Sequence, residues 1–239
     1  MSGQIVITGA AGGIGAALAD HFLSRGRAVA GIDIAPFADR IAAMPDFVGV
    51  RSDITDEAAL ERAFDAIAAR GPISTVIANA AVTDLAHSDT LSMLYATWSR
   101  VLRINVDGAF LTGRAAARRM GRGNIVFVTS SLAMLSQAKA NDAAYCTSKA
   151  AVEMLARVMA LELAPMGINV NTLYPSAVID TGFFAHWSAE QRRVLAPPTI
   201  LNGAASALAD LPPGAVTGRS LDHARWENER AYRCEWGAA

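Results

Sequence analysis

Tyr145 and Lys149 lie four residues apart at the start of a helical pattern. Residues at this spacing share one face of a helix. A lysine ammonium beside a phenol favours the phenolate and lowers a pKa that is about 10 when unperturbed. The pair therefore has the chemistry of a proton donor and acceptor near physiological pH, although many helices carry a tyrosine and a lysine at this spacing by accident.

A glycine-rich segment, residues 8–15 (Thr-Gly-Ala-Ala-Gly-Gly-Ile-Gly), lies between the first predicted strand and the first predicted helix. Glycine permits a tight turn and a close approach of the backbone to pyrophosphate, and the start of a helix offers free N–H groups and a positive dipole end. Gly9, Gly13, Ile14 and Gly15 are therefore predicted to bind a nucleotide. The alternative is a tight strand–helix turn in a chain that has 19 glycines.

Asp33 ends the second predicted strand. An acid at this point can accept hydrogen bonds from both hydroxyls of a ribose. It would also repel a 2′-phosphate, because like charges about 4 Å apart cost on the order of 4 kcal/mol near a protein surface. Positions 12, 34 and 35 are Gly, Ile and Ala, so no basic residue is expected there. NAD is favoured over NADP as the cofactor, and a simple polar strand end is the alternative.

The elements that must position these residues follow an alternating pattern of short β-branched runs and alanine-rich helical segments. Near-continuous apolar strands between helices predict a parallel sheet covered on both faces. The predicted fold class is therefore α/β, a single-domain, doubly wound parallel sheet over residues 1–239. Predicted strands are 4–8, 28–32, 47–50, 73–77, 124–129, 168–173 and, more weakly, 214–218; predicted helices are 13–25, 56–70, 90–119, 143–164 and 201–210.

Composition excludes several classes of function. A net charge of −1 gives no basic footprint for nucleic acid and no polybasic membrane patch. No apolar stretch reaches the roughly 18 residues of a membrane span. Cys146 and Cys234 make no disulfide framework, and the chain starts without a signal pattern, so a cytoplasmic location is expected. His87, His186 and His223 have no metal-ligand spacing, so no metal site is predicted.

Taken together, these motifs resemble one known family. The glycine segment, Asn79-Ala80-Ala81, Asn105, Ser131 and the Tyr145/Lys149 pair occur in the order and spacing of the short-chain dehydrogenase/reductase family, over residues 4 to about 181. The resemblance implies a Rossmann-type fold and a nicotinamide cofactor. It also implies hydride transfer to or from a small secondary alcohol or ketone, such as a sugar, polyol, hydroxy acid or cyclic diol. Reduction of ketoacyl thioesters is an alternative. It also implies a homodimer or homotetramer, and the alanine-rich helices would allow close packing between subunits.

The resemblance also implies roles for the catalytic residues. Tyr145 exchanges a proton with the substrate oxygen, and Lys149 holds the nicotinamide ribose and lowers the pKa of the tyrosine. Ser131 hydrogen-bonds the substrate oxygen, with Ser130 as the alternative hydroxyl. Asn105 supports a proton relay through water and Lys149, or is only a residue of a helix kink.

Further residues are implied to contact the cofactor. Asp53 and Ile54 would contact adenine, unless Asp53 simply caps the helix that starts near Thr55. Asn79 would steady the central strand beside the cofactor, and Val178 would contact the nicotinamide carboxamide. The full expected set is Gly9, Gly13, Ile14, Gly15, Asp33, Asp53, Ile54, Asn79, Ala80, Tyr145, Lys149, Pro175 and Val178.

The sequence departs from the family's pattern at several positions. Ala81 and Ser176 replace glycines, the usual threonine at 180 is an aspartate with Thr181 one residue later, and the usual Asp-Gly-Gly near the C-terminus is Asp-His-Ala at 222–224. These departures keep a second hypothesis open, in which the protein binds NAD as a regulatory or scaffolding protein that has lost turnover.

Two segments fall outside the alternating pattern. Residues 178–200 contain Phe183, Phe184 and Trp187 and are predicted to form a substrate lid, in which His186 is expected to be a surface residue. Residues 222–239 form a C-terminal tail rich in arginine and aromatic residues. The tail is either solvated with a few packed aromatics, or it folds over an active site, where its arginines could pair with an anionic substrate group.

Overall fold

Seven strands form the centre of the structure, a computed structural model that describes residues 3–237. They are β1 (Gln4–Thr8), β2 (Val29–Asp33), β3 (Phe47–Arg51), β4 (Ile73–Ala78), β5 (Gly123–Val128), β6 (Ile168–Tyr174) and β7 (Ser220–Asp222). The strands pair in parallel in the order β3-β2-β1-β4-β5-β6-β7. The first two and last two residues of the predicted domain lie outside the described residues.

Helices cover the sheet. They are α1 (Gly13–Ser24), α2 (Asp39–Ala42), α3 (Glu57–Ala68), α4 (Tyr95–Leu102), α5 (Gly108–Ala117), α6 (Ala143–Leu163), α7 (Asn202–Ala209), α8 (His223–Asn228) and α9 (Arg230–Cys234). A π-helical turn, Arg103–Asp107, joins α4 to α5. The helix predicted over 90–119 is thus divided at this turn. It also begins later than predicted, at Tyr95, because the Asp89 side chain accepts hydrogen bonds from the N–H groups of Leu91 and Ser92 and stabilises a turn there.

Both faces of the sheet are buried, as the continuous apolar strands predict. Ile5 and Ile7 of β1 pack into a core that includes α1 and α7, whereas Val6, between them, packs into a second core that includes α3, α5 and α6. Side chains alternate between faces along a strand, so strands β1 to β6 supply both cores. The predicted Rossmann-type α/β fold class is confirmed.

The weak strand predicted at 214–218 is wrong. Gly214 and Gly218 have φ values of +74° and +72°, in the left-handed region, so the chain turns where the prediction required an extended strand. Pairing with β6 starts only after this turn, at Ser220. Apolar composition alone predicted the segment, and the two glycines that interrupt it were the signal against a strand.

The sheet brings the ends of its strands to one edge. In a parallel sheet all carboxyl ends point the same way, so the loops after β1, β2, β4, β5 and β6 are neighbours. The order of strands reverses between β1 and β4, and the crevice at such a reversal is where ligands bind in open α/β sheets. The glycine segment follows β1, directly at this crevice.

The C-terminal tail is folded and anchored. Trp226, Tyr232 and Trp236 are buried in the core on the side of α1 and α7. Arg225 stacks on the Tyr232 ring, 4.1 Å from its centre, and pairs with Glu229. Its charge is thus engaged inside the tail. Among the described residues, no helix combines the length and apolar character needed to cross a membrane.

We predict that Trp226→Ala lowers the free energy of unfolding by about 3–5 kcal/mol, because it leaves a cavity in the core. Denaturant unfolding followed by circular dichroism measures the change. The matched control is Arg230→Ala, an exposed residue of the same tail, which is expected to stay within about 0.5 kcal/mol of wild type. Equal stability of the two variants would show that the tail aromatics do not anchor the fold.

Candidate active site

Tyr145 and Lys149 lie on the first turns of α6, which begins at Ala143 as predicted. This end of α6 packs against the end of β5. The Lys149 Nζ donates a hydrogen bond of 2.9 Å to the Val128 carbonyl, and it lies 5.7 Å from the centre of the Tyr145 ring. Lys149 is only 4% exposed, so its ammonium is buried beside the phenol.

Two adjacent serines, Ser130 and Ser131, follow β5 and are the candidates for the hydroxyl beside Tyr145. Ser130 prolongs the extended backbone of β5, with φ −158° and ψ 151°, whereas Ser131 begins a 3-10 turn. The Ser130 hydroxyl accepts the Leu132 N–H at 3.2 Å and also acts to lower the pKa of the Tyr145 phenol. This favours the alternative, Ser130, and the choice between Ser131 and Ser130 stays a prediction. A one-residue shift along an extended segment sends a side chain to the opposite face, so the choice depends on where β5 ends.

The two ionisable side chains have pKa values shifted in opposite directions. Burial raises the pKa of Tyr145 to about 12; the Ser130 hydrogen bond opposes this and the Asp142 charge reinforces it. Burial lowers the pKa of Lys149 to about 8, against the effect of Glu153. Burial is thus the largest influence on the pKa of the phenol, and the lowering of this pKa by Lys149 stays a prediction. At neutral pH the phenol holds its proton and can donate it.

Asn105 lies in the π-helical turn and is buried. Its side-chain amide accepts a hydrogen bond from the Val82 N–H and donates to the Val82 carbonyl, both at 2.8 Å. It also donates to the Ser148 hydroxyl at 2.9 Å. Asn105 therefore ties the loop after β4 to the first turns of α6, and its predicted part in a proton relay stays a prediction.

The glycine segment has the shape of a phosphate cradle. Gly9 has a φ of +68°, and a Cβ on Gly15 would lie 2.0 Å from the Gly9 carbonyl oxygen, so neither position accepts a side chain without strain. No atom of residues 3–237 lies within 4 Å of a Cβ built on Gly12. Within the same residues, no side chain caps α1, so its first N–H groups are available to an anion. These features fit a pyrophosphate.

The loop after β4 fixes this cradle from the other side of the crevice. The Thr8 hydroxyl accepts hydrogen bonds from the N–H groups of Asn79 and Ala80, at 3.1 and 3.2 Å. The Asn79 amide donates to the Thr8 carbonyl at 3.0 Å. Ile14 packs on the core beneath the segment. β1 and β4 are thus joined at the point where the strand order reverses.

Asp33 is held across from the glycine segment. Its carboxylate accepts the N–H groups of Ala11 and Ala35, each at 2.9 Å. A basic residue that the sequence analysis missed lies close by, because Arg51 pairs with Asp33 in the β2–β3 register and donates to the Ile34 carbonyl at 2.9 Å. The expectation that no basic residue lies here is wrong, since it considered only positions near Asp33 in the chain.

Asp53 and Ile54 follow β3. The Asp53 carboxylate accepts hydrogen bonds from the N–H and hydroxyl of Thr55, at 2.8 and 2.9 Å. The side chain that caps α3 is Asp56, so the alternative in which Asp53 caps this helix is wrong. Ile54 is buried against Gly108 of α5, where a Cβ would lie 2.4 Å from the isoleucine Cδ1. Their contact with adenine stays a prediction.

The loop after β6 contains two of the departures from the family's pattern, and each has a partner. The Ser176 N–H donates to His223 Nδ1 at 2.9 Å, and the Ser176 hydroxyl donates to the Asp222 carboxylate. Serine at 176 and Asp-His at 222–223 therefore form one contact between this loop and α8. Thr181 lies over the glycine segment, 3.3 Å from a Cβ built on Gly13, while Asp180 pairs with Arg192.

The predicted lid, residues 178–200, is pinned at its base by the Asp180–Arg192 pair and by a bridge between Ile179 and Ala196. Pro175 precedes it, and Val178, at its start, is exposed. The Phe183 ring lies edge-on to the Tyr145 ring, with centres 6.1 Å apart. An apolar ring therefore borders the phenol, whereas His186 is exposed.

Residues 4–192 match the family model described as short chain dehydrogenase. The chain belongs to this family. It is 37% identical over 200 residues to cis-4-hydroxycyclohexanecarboxylate dehydrogenase of Sinomonas cyclohexanicum, covering 80% of this chain and 79% of that protein. It is 36% identical to D-threitol dehydrogenase of Mycolicibacterium smegmatis, covering 73% and 69%.

Solved structures agree with this assignment. A short-chain type dehydrogenase/reductase from Mycobacterium marinum superposes with a TM-score of 0.81 at 29% identity, over 92% of this chain and 93% of that one. The resemblance stated from the sequence is confirmed. This short-chain dehydrogenase is accordingly an oxidoreductase that acts on CH–OH groups and binds a nicotinamide cofactor.

We predict that Ser130→Ala lowers kcat/KM by about 10²-fold or more, because it removes a hydroxyl that faces the Tyr145 phenol. Ser131→Ala is the matched control, at the adjacent position, and is expected to keep kcat/KM within about threefold of wild type, a change below the roughly tenfold that 1.4 kcal/mol represents. The measurement is steady-state oxidation of the alcohol that turns over fastest. The opposite ranking of the two variants would assign the role to Ser131.

Proposed function

We propose that this protein is an NAD-dependent dehydrogenase that interconverts a small secondary alcohol and its ketone. The observation that carries the proposal is the group formed by the Ser130 hydroxyl, the Tyr145 phenol and the buried Lys149 ammonium. This group lies at the same sheet edge as the glycine segment. A proton donor thus stands beside a site whose shape fits the pyrophosphate of a dinucleotide.

In this proposal Ser130 and Tyr145 hold the substrate oxygen. During reduction the Tyr145 phenol, whose pKa is raised to about 12 by burial, gives its proton to that oxygen. During alcohol oxidation the same tyrosine oxygen takes the proton back, and the Lys149 ammonium favours the phenolate by its charge. The nicotinamide cofactor, when bound, supplies or accepts the hydride. Positioned proton transfer of this kind contributes about 10²- to 10⁴-fold.

Asp33 supports NAD as the cofactor. Two backbone N–H groups fix its carboxylate at the end of β2, where further lone pairs can accept ribose hydroxyls. The same charge would repel a 2′-phosphate. Arg51 has the opposite effect, because its positive charge would attract a 2′-phosphate. Its guanidinium donates a hydrogen bond to the Ile34 carbonyl beside Asp33. We therefore propose that Asp33 causes a preference for NAD over NADP and that Arg51 makes this preference smaller.

The proposed substrates are cyclic hydroxy acids and polyols. Similarity to dehydrogenases named for cis-4-hydroxycyclohexanecarboxylate and for D-threitol supports both classes. The Phe183 ring beside Tyr145 favours the first, because an apolar ring can pack against the carbon skeleton of a cyclic alcohol.

We also propose a cytoplasmic homodimer or homotetramer. Met154, Val158 and Leu161 share one face of α6 and are exposed, as is Phe110 on α5. An apolar face of this kind suits a symmetric helix contact between copies of the chain.

We predict that the wild-type enzyme reduces NAD with a member of an alcohol panel containing hydroxy acids, polyols, sugars and cyclic diols. Tyr145→Phe is expected to lower kcat by about 10²-fold or more, because it removes the proton carrier, and to keep its affinity for NADH. NADH formation and a fluorescence titration measure the two properties. More than about a tenth of wild-type kcat in the variant would reject Tyr145 as the acid/base.

The same panel tests the alternative function. If wild-type protein binds NADH tightly but oxidises no alcohol and reduces no matching ketone, the regulatory or scaffolding hypothesis replaces this proposal.

We predict that kcat/KM is higher with NAD than with NADP, and that Asp33→Ala narrows the ratio because it removes the repulsion of the 2′-phosphate. The double variant Asp33→Ala/Arg51→Ala is the control, in which the gain with NADP is expected to be smaller because the neighbouring cation is also gone. Equal kcat/KM values in wild type, or a bias to NADP, would remove Asp33 from this role.

A further inference from the structure

Glu153 is a buried carboxylate that the mechanism above does not use. It lies on α6, is 6% exposed and accepts three hydrogen bonds. Donors are the Thr129 and Ser220 hydroxyls, both at 2.6 Å, and the Arg157 guanidinium at 2.9 Å. A buried charge is costly unless it is paired and hydrogen-bonded, so this set of donors stabilises the carboxylate in place.

Glu153 continues a row of active-site residues. Tyr145, Lys149 and Glu153 are spaced by four residues each, on one face of α6. All three contact segment 128–130 at the end of β5. The Tyr145 phenol lies near Ser130, and the Lys149 ammonium donates a hydrogen bond to the Val128 carbonyl. The Glu153 carboxylate accepts a hydrogen bond from the Thr129 hydroxyl. One helix face therefore holds three consecutive residues of the strand end.

Glu153 is also the charge that acts on Lys149. Lost hydration lowers the pKa of the Lys149 ammonium to about 8, and the negative charge of Glu153 opposes that effect. A lysine that lost its proton near neutral pH could not stabilise a phenolate by charge.

We propose that Glu153 is a positioning residue of the active site, which keeps Lys149 cationic and fixes segment 128–130 against α6. The positions of Glu153, Lys149 and segment 128–130 are given by the hydrogen bonds described above. Only the effect of these groups on turnover rests on the proposed function.

Charged and polar groups face this cluster from every neighbouring element. They are Tyr145 and Arg157 on α6, Asn105 in the π-helical turn, Thr129 on the strand end of β5, Tyr174 at the end of β6 and Ser220 on β7. Arg157 is half-exposed and lies on the carboxylate side of the cluster. Its guanidinium forms an ion pair with the Glu153 carboxylate at 2.9 Å.

The composition of the chain allows a direct test, because Lys139 and Lys149 are its two lysines. Protein labelled with ¹³C at the lysine ε-carbon gives one signal for each, and a pH titration by NMR measures both pKa values without cofactor or substrate. In Glu153→Gln we expect the Lys149 pKa to fall by about 1 or more, the size typical of losing a nearby opposite charge. Lys139, which is exposed, serves as the internal reference.

Two further variants separate charge from hydrogen bonding. Thr129→Val removes a donor to Glu153 but keeps the carboxylate, so the Lys149 pKa is expected to stay near its wild-type value. Arg157→Gln removes the cation on the other side of the carboxylate and is expected to raise the Lys149 pKa. Because Arg157 is half-exposed, this variant serves if Glu153→Gln does not fold.

An unchanged Lys149 pKa in Glu153→Gln, or an equal fall in Thr129→Val, would overturn the proposal. If Glu153→Gln does not fold, an unchanged pKa in Arg157→Gln would do the same. Where turnover is measurable, the alkaline limb of the kcat/KM profile is expected to move to lower pH in Glu153→Gln, since Lys149 then loses its proton earlier. If the wild-type protein shows no turnover, that result counts against the proposed function. The titration of Lys149 still tests the role of Glu153, because it needs neither cofactor nor substrate.

Discussion

The hydrogen bond from Lys149 to the Val128 carbonyl is the contact on which the active-site geometry depends. A buried ammonium needs a hydrogen-bond acceptor, and the end of β5 provides one at 2.9 Å. This bond places the first turns of α6 over the carboxyl edge of the sheet. Tyr145, one turn before Lys149, then lies near the Ser130 hydroxyl. The adjacent Glu153–Thr129 bond fixes the same strand end.

The nucleotide side of the site depends on the reversal of strand order between β1 and β4. Thr8 joins the two strand ends, and glycines keep the space above the start of α1 clear. The contact between Ser176 and the Asp-His pair at 222–223 adds the folded tail to this framework. The tail thereby supports the loop from which the lid starts. The aromatic residues of the tail anchor it in the core, and Arg225 pairs with Glu229 inside the tail.

The sequence predicted what is local. Hydrophobic runs predicted six of the seven strands, and helical spacing predicted that Tyr145 and Lys149 share a face. Features that depend on residues distant in the chain could not be predicted from the sequence. The sequence left Ser130 and Ser131 open because their directions depend on where β5 ends. The proximity of Arg51 to Asp33 needed the register of β2 on β3. The raised Tyr145 pKa needed the burial that tertiary packing produces.

A crystal structure of the enzyme with a nicotinamide cofactor bound would test the central claim most directly. The account predicts that the Ser130 and Tyr145 hydroxyls face one another beside the cofactor, that Lys149 stays on the Val128 carbonyl, and that Ser131 points away. A structure with the Ser131 hydroxyl against Tyr145, or with Lys149 released from the end of β5, would contradict it.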